Sequence, residues 1–299
     1  HRACYHKLNM FKAKGRIPGQ CQKLDYGIYS EGQKWSEDYT PPESVQRNFI
    51  RIATFNVWFG ELAWQERQDA LLSLLEKNSV DIIGLQEVTP RFLERLLKVP
   101  WLQEQYAISD IWGTSLESYG VLLLTKLPIQ DMFLVDLPTQ MGRRLLCADL
   151  LINGTILRVG VVHLESLRPE GIMRGLQLET IFPILIESPQ SILMGDFNFC
   201  HTNEIEQERL PKSHLDIWPT VHPEEPGWTE NTSINLMRFD QKLKEKQVRF
   251  DRMLLSKKGP WKAKDIKLLG TEAISEKSSR IYPSDHFGLL AELSDSRIR

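Results

Sequence analysis

The 299-residue sequence predicts an α/β fold in which β-sheets pack on each other and helices lie outside them. Three observations carry this. From Phe49 onward, short β-branched apolar stretches alternate with segments whose apolar residues recur at helical spacing. Asn153-Gly154, the dipeptide that favours a two-residue hairpin turn, sits between two such stretches. Helix-linked strands and a hairpin in one chain require mixed pairing, and layers of helix and sheet are the stable way to bury both.

Taken in order, residues 1–48 lack sustained periodicity, are rich in Gly, Lys, Gln and Ser, and end in Thr40-Pro41-Pro42. They are expected to form a tail or small appendage, and residues 49–299 the main domain. Residues 50–57 and 80–86 predict buried strands. Between them Ala63, Ala70, Leu71, Leu74 and Leu75 line one face of an amphipathic helix. Thr89-Pro90 opens a second helix, since Thr caps an N-terminus and Pro suits the first turn. Strands follow at 119–125, 145–152 and 155–163, a helix at 169–187 interrupted by Pro183, and strands at 191–197, 250–256 and 287–293.

Composition excludes little: 41% hydrophobic and 25% charged residues describe an ordinary globular chain. No apolar run reaches the roughly 18 residues of a membrane span, so no membrane partner is expected. A net charge of −2 gives no global pull toward nucleic acid. Two basic clusters, Arg2 to Lys23 and Arg238 to Arg249, read either as solvated segments or as phosphate contacts. Cys4, Cys21, Cys147 and Cys200 are too few and scattered for a disulfide scaffold, and Cys4, His6 and Cys21 match no finger spacing. A reducing compartment, nuclear or cytoplasmic, is expected.

Four apolar runs begin or end in residues that a core would reject: Asn56, Glu87, Asp196 with Asn198, and Asp285-His286. A carboxylate closing a buried strand, such as Glu87, needs a partner, and a divalent cation is one. A helix cap or an ion pair is another. Asp196 and Asn198 lie two apart and point to one side of an extended backbone, where the carboxylate can take a water proton and the amide can donate to developing charge. An Asx turn after Gly195 gives the same pattern. Asp285-His286 reads as a metal or base carboxylate beside an imidazole, or as a surface turn. His163 ends a strand shortly before Ser166 and Arg168, whose fork suits phosphate. Asp251 stands where it could orient an imidazole.

In this order the pieces Thr54-Phe55-Asn56-Val57, Leu85-Gln86-Glu87-Val88, Tyr119-Gly120, His163-Leu164-Glu165-Ser166, Gly195-Asp196-Phe197-Asn198, Arg249-Phe250-Asp251-Arg252 and Ser284-Asp285-His286 resemble the endonuclease/exonuclease/phosphatase superfamily over roughly residues 50–293. The resemblance implies a four-layer α/β/β/α sandwich with two central mixed β-sheets, and a magnesium-dependent phosphodiesterase that tolerates manganese. It implies Glu87 as magnesium ligand with Asn56 and Asp285 close by, and Asp196 handling the attacking water with help from Asn198. His163 and His286 would stabilise the phosphate transition state, Asp251 would hold His286, and Tyr119 would lie near the scissile phosphate.

Further matches at 139–147, 163–168, 215–218 and 281–290 resemble the branch that frees a DNA 5′ end from a trapped topoisomerase peptide. They imply that Ser166 and Arg168 contact phosphate or nucleotide and that Trp228 and Leu236 wall the DNA; a monomer is expected. Phe55, Phe197 and Cys200 depart from that branch, where Trp, Thr and Arg are usual; Arg209 or the second basic cluster would take over the DNA contact. Inositol phosphates, phospholipids, RNA tails and abasic sites are the alternative substrates of the same catalytic core.

Overall fold

In the computed structural model, residues 15–298 are described apart from 31, 33, 39, 41 and 42. Four layers stack as helix, sheet, sheet, helix. One sheet holds seven strands in the order β1 (Cys21–Lys23), β8 (Ile129–Asp136), β9 (Arg144–Ile152), β10 (Thr155–His163), β11 (Gln190–Asp196), β15 (Asp251–Ser256) and β12 (His214–Asp216). The other holds six: β16 (Trp261–Leu269), β17 (Gly288–Asp295), β4 (Phe49–Asn56), β5 (Ile82–Val88), β7 (Gly120–Thr125) and β6 (Ala107–Ile108). Each is mixed, with one parallel pair, β10–β11 in the first and β4–β5 in the second.

The strands alternate inward and outward side chains, so each sheet buries two faces. Between the sheets Ile50, Ile52, Ile82 and Leu123 meet Val159, Val161, Ile192 and Met194. Gly84 permits this approach, because a Cβ there would fall 2.7 Å from Met194 Cε. Outside the smaller sheet, helix α1 (Trp64–Lys77) packs Leu71, Leu72 and Leu75 on the face that carries Ile83, Leu85 and Leu122. Outside the larger one, helix α4 (Gly171–Ile186) covers Cys147, Val162 and Leu193 with Leu178, Ile181 and Leu185. Three apolar layers thus separate four structural ones.

Local chemistry accounts for the boundaries. Asn153 and Gly154 adopt φ of 52° and 73°, the left-handed pair required by the tight turn, and Ile152 faces Thr155. Thr89 accepts from the Phe92 N–H at 3.2 Å and caps α2 (Pro90–Leu96). Pro183 lies inside α4, in its last turn. None of the described helices is long and apolar enough to cross a membrane.

The expected appendage at residues 1–48 behaves differently where it is described. β1 pairs with β8 and widens the larger sheet, Gly27 bridges Ile108, Val45 bridges Ile152, and Tyr26 is buried in the inter-sheet core. Three-residue strands are too short to display a period of two, which is why the sequence pattern lacked them. Cys4, His6 and the basic residues Arg2, Lys7, Lys12 and Lys14 lie outside the described residues. Strands β8 and β16 were also absent from the sequence reading. β16 is an edge strand whose outward Lys262, Asp265 and Lys267 guard it against further pairing and mask its apolar period.

Candidate active site

Register builds the first half of the site. β10 and β11 end level, setting His163 opposite Asp196, and antiparallel β15 sets Asp251 opposite Asp196. A row His163–Asp196–Asp251 therefore crosses three strands at one edge of the larger sheet. Gly195 makes the crossing possible: its φ is 145°, and a Cβ would fall 1.8 Å from the Val162 carbonyl oxygen.

The smaller sheet supplies the second half. β4 ends at Asn56, and Asp285-His286 stand one residue, Phe287, before β17. A bulge in β5 between Leu85 and Val88 re-aims Glu87, whose φ of 59° is a strained value for a non-glycine residue. Buried Arg67 on α1 braces the loops beneath. It donates to the carbonyls of Leu62 (2.7 Å) and Pro283 (3.2 Å) and stacks 4.4 Å from the Trp58 ring.

The two halves touch through Asn56. Its Nδ2 donates to Glu87 Oε1 (3.1 Å) and Asp196 Oδ2 (3.0 Å), while its Oδ1 accepts from the Trp58 N–H (3.0 Å). Asn56, expected among the metal contacts, bridges the two carboxylates through its Nδ2. Glu87 Oε2 accepts from the Phe59 N–H at 3.1 Å. Asp251 Oδ2 lies 2.8 Å from His286 Nδ1, and Asp196 Oδ2 lies 3.5 Å from His163 Nε2 and 3.9 Å from His286 Nε2.

Charge follows from burial and these neighbours. Burial raises the Asp196 carboxyl to about 7, with His286 acting against the rise. For His286 burial opposes the charge, yet Asp251 and Asp196 prevail and hold it protonated well above the usual histidine range. His163 is pushed well below that range by burial, then by Arg143 and His286, and is neutral. Glu87 is raised by burial and next by Asp285, so the two carboxylates sense each other across the site. The result is a base poised near neutrality between an imidazolium and a neutral imidazole.

Two groups of ligands could receive a cation. Asp196, Asp251 and His286 present ligand atoms within 4.8 Å of one another. The tight His286–Asp251 pair makes that group suited to holding a proton. Glu87 and Asp285 offer hard carboxylate oxygens, and the raised Glu87 shows a charge wanting compensation, so their donor set fits magnesium or manganese.

Asn198 stands at φ 54°, and its Nδ2 donates to the Leu164 carbonyl (3.0 Å) and Ser166 Oγ (3.2 Å). The amide nitrogen thus braces the turn after β10, while the backbone N–H donates to Asp196 Oδ1 (2.9 Å). Ser166 Oγ also accepts from Arg143 Nη2 at 2.9 Å. Arg143, which sequence reasoning passed over as a site residue, lies 5.3 Å from the Tyr119 ring centroid and lines a small cavity with Tyr119, His163, Glu117 and Arg144. Tyr119 packs on Phe59 at 4.9 Å and sits 6.4 Å from the His163 ring.

Arg168 is exposed on the turn after Ser166, Trp228 is half-buried, and Leu236 packs against Met237, Tyr282 and Phe287. Arg209 is paired with Glu179 at 2.6 Å. The basic run after Leu236 is a folded cap, comprising helix α7 (Leu236–Lys242) and the β13–β14 pair (Glu230–Asn231, Gln247–Val248).

Comparison with known proteins decides the assignment. The pattern of the Endonuclease/Exonuclease/phosphatase family matches residues 53–286, which takes in every strand end described above. The chain belongs to that family. Family membership agrees with the four-layer sandwich and with phosphoester cleavage. The chain is 30% identical over 268 residues to tyrosyl-DNA phosphodiesterase 2 of Xenopus laevis, covering 86% of this chain and 70% of that protein. The figures for the Homo sapiens protein of the same name are 29%, 85% and 71%. Its fold superposes with a TM-score of 0.72 on the crystal structure of D. rerio TDP2 complexed with single-strand DNA product, at 24% identity, covering 83% of this chain and all of that one.

Proposed function

We propose that this family member is a magnesium-dependent phosphodiesterase that hydrolyses the 5′-phosphotyrosyl bond between a topoisomerase peptide and a DNA end, leaving a 5′-phosphate. One observation carries it: a buried Asp196 beside the His286 imidazolium and 3.5 Å from His163, which lines a cavity with Tyr119 and Arg143. The names of the relatives point to the same substrate.

Asp196 accepts the proton of the attacking water as its oxygen bonds to phosphorus and the bond to the phenolic oxygen breaks. His286, kept charged by Asp251, and His163 donate to the phosphoryl oxygens, where charge grows. A divalent ion on Glu87 and Asp285, when bound, supplies Lewis-acid stabilisation of that charge. Phenolate, with a pKa of about 10, leaves more readily than a sugar alkoxide, so no strong general acid is needed on the leaving side. Arg143 beside the Tyr119 ring offers the departing phenolate a cation and an aromatic wall. Ser166 and Arg168 would hold the nucleotide side, and Trp228 with Leu236 would border the bases, because apolar and cationic groups together suit a single strand. Manganese is expected to substitute for magnesium, and the enzyme to work as a monomer in nucleus or cytoplasm.

The test is a parallel assay of 5′- and 3′-phosphotyrosyl oligonucleotides, an inositol phosphate, an RNA tail and an abasic-site duplex, with and without chelator. Preference for the 5′ adduct and its loss with chelator are expected. Preference for another substrate, or indifference to chelator, overturns the reading.

A further inference from the structure

We infer that Arg238 competes with the divalent ion for Asp285 and thereby sets the metal affinity of the site, an inference that rests on the metal role proposed for Glu87 and Asp285. Arg238 is not free to wander. The side chain of Asn235 caps α7 by accepting from the Arg238 N–H (3.0 Å), and the same amide donates to the Ser284 carbonyl (2.8 Å), directly before Asp285. The helix start is thus tied to the loop that bears the ligand.

From this base Arg238 Nε donates to Glu230 Oε1 (2.7 Å), and its Nη1 reaches Asp285 Oδ2 (3.0 Å). Glu230 is fully buried and receives a second cation, Lys246 Nζ, at 2.7 Å from Oε2. Burial raises the Glu230 carboxyl, yet His286, Arg238 and Lys246 bring it below the usual range, so it stays charged. Lys246 alone could balance Glu230, which leaves the Arg238 charge for Asp285. Glu230, Asp285, Arg238 and Lys246 sum to zero. Asp285 Oδ1 lies 3.4 Å from Ser284 Oγ, whose proton goes to the Asn56 carbonyl at 2.6 Å. A metal ion arriving at Glu87 therefore meets a carboxylate one of whose oxygens is already engaged by a guanidinium. Binding requires the guanidinium to yield or share.

The test measures Mn2+ binding to the full chain without substrate, by electron paramagnetic resonance, for wild type, Arg238→Lys, Arg238→Ala and Lys242→Ala. A unit charge a few ångströms from a ligand typically shifts its equilibria by about tenfold or more. Arg238→Ala should therefore bind Mn2+ about tenfold tighter, and Arg238→Lys should stay near wild type. Lys242→Ala, which removes an exposed cation from the same helix, should change affinity less than about twofold. Arg238→Gln keeps a donor for Glu230 and carries the Ala expectation should Ala disturb folding. Unchanged or weaker binding in the neutral variants, or equal tightening by Lys242→Ala, overturns the inference alone. No Mn2+ binding by any of them overturns the metal role itself and the inference with it.

Discussion

Arg174→Met should destabilise the protein by roughly 3–5 kcal/mol, the usual cost of removing one partner from a buried ion pair. Arg174 has no exposed surface, and its guanidinium meets Glu206 Oε1 at 2.7 Å. Glu206 is buried as well. Nη1 also donates to the carbonyls of Glu165 (3.0 Å) and Leu167 (2.7 Å), holding Leu167 at a φ of 76°. Met fills similar volume but leaves a buried carboxylate unpaired and these carbonyls without a donor, each worth about 1 kcal/mol. Changing Glu206→Met as well removes the stranded charge, so the double variant should regain at least about 2 kcal/mol over the sum of the single ones. Urea denaturation of the four proteins measures this. Because the same turn carries Ser166 against Asn198, the double variant should regain stability without regaining full turnover. A loss below about 1 kcal/mol for Arg174→Met, or simple additivity, refutes the reasoning.

Asp251→Asn keeps the shape beside His286 but removes the charge that holds the imidazolium. It should lower kcat by about 10²–10⁴ with the urea midpoint little changed, as for other imidazole-orienting carboxylates; a loss under tenfold would reject that role. His214 makes a pH prediction. Burial, then Lys258, lowers its pKa from 6.5 to about 4, and its ring nitrogens meet Ser191 Oγ and Ser213 Oγ at 3.0 Å each. Above pH 6.5 the imidazole is neutral folded or unfolded. Between 6.5 and 4 only the unfolded chain takes the proton, so stability falls by up to about 3 kcal/mol, or nearer 2 after solvent screening. Urea midpoints of wild type should drop faster over that window than those of His214→Gln, and parallel curves would count against it.

Much of the site was legible because strand ends bearing Asn56, Glu87, Asp196 and Asp285 contradict their apolar surroundings. The Asn153-Gly154 hairpin was legible for a local reason, since the turn demands two left-handed residues. Register was not. That His163, Asp196 and Asp251 fall in one row depends on which residues face each other across strands far apart in the chain. Nor was the left-handed backbone of Asn198, which turns its amide nitrogen to Leu164. Arg143, Arg174 and Arg238 find Ser166, Glu206 and Glu230 only in the folded chain, and no local sequence pattern marks these pairs.

Asn56 has a consequence beyond the bond it makes. It hangs from one sheet and grips a carboxylate of the other, so the spacing of the reacting groups is a reading of how the two sheets lie against each other. Bulk added at Gly84, far from any phosphate, would act as a shim between them, stretching that strap and detuning Asp196 without touching it.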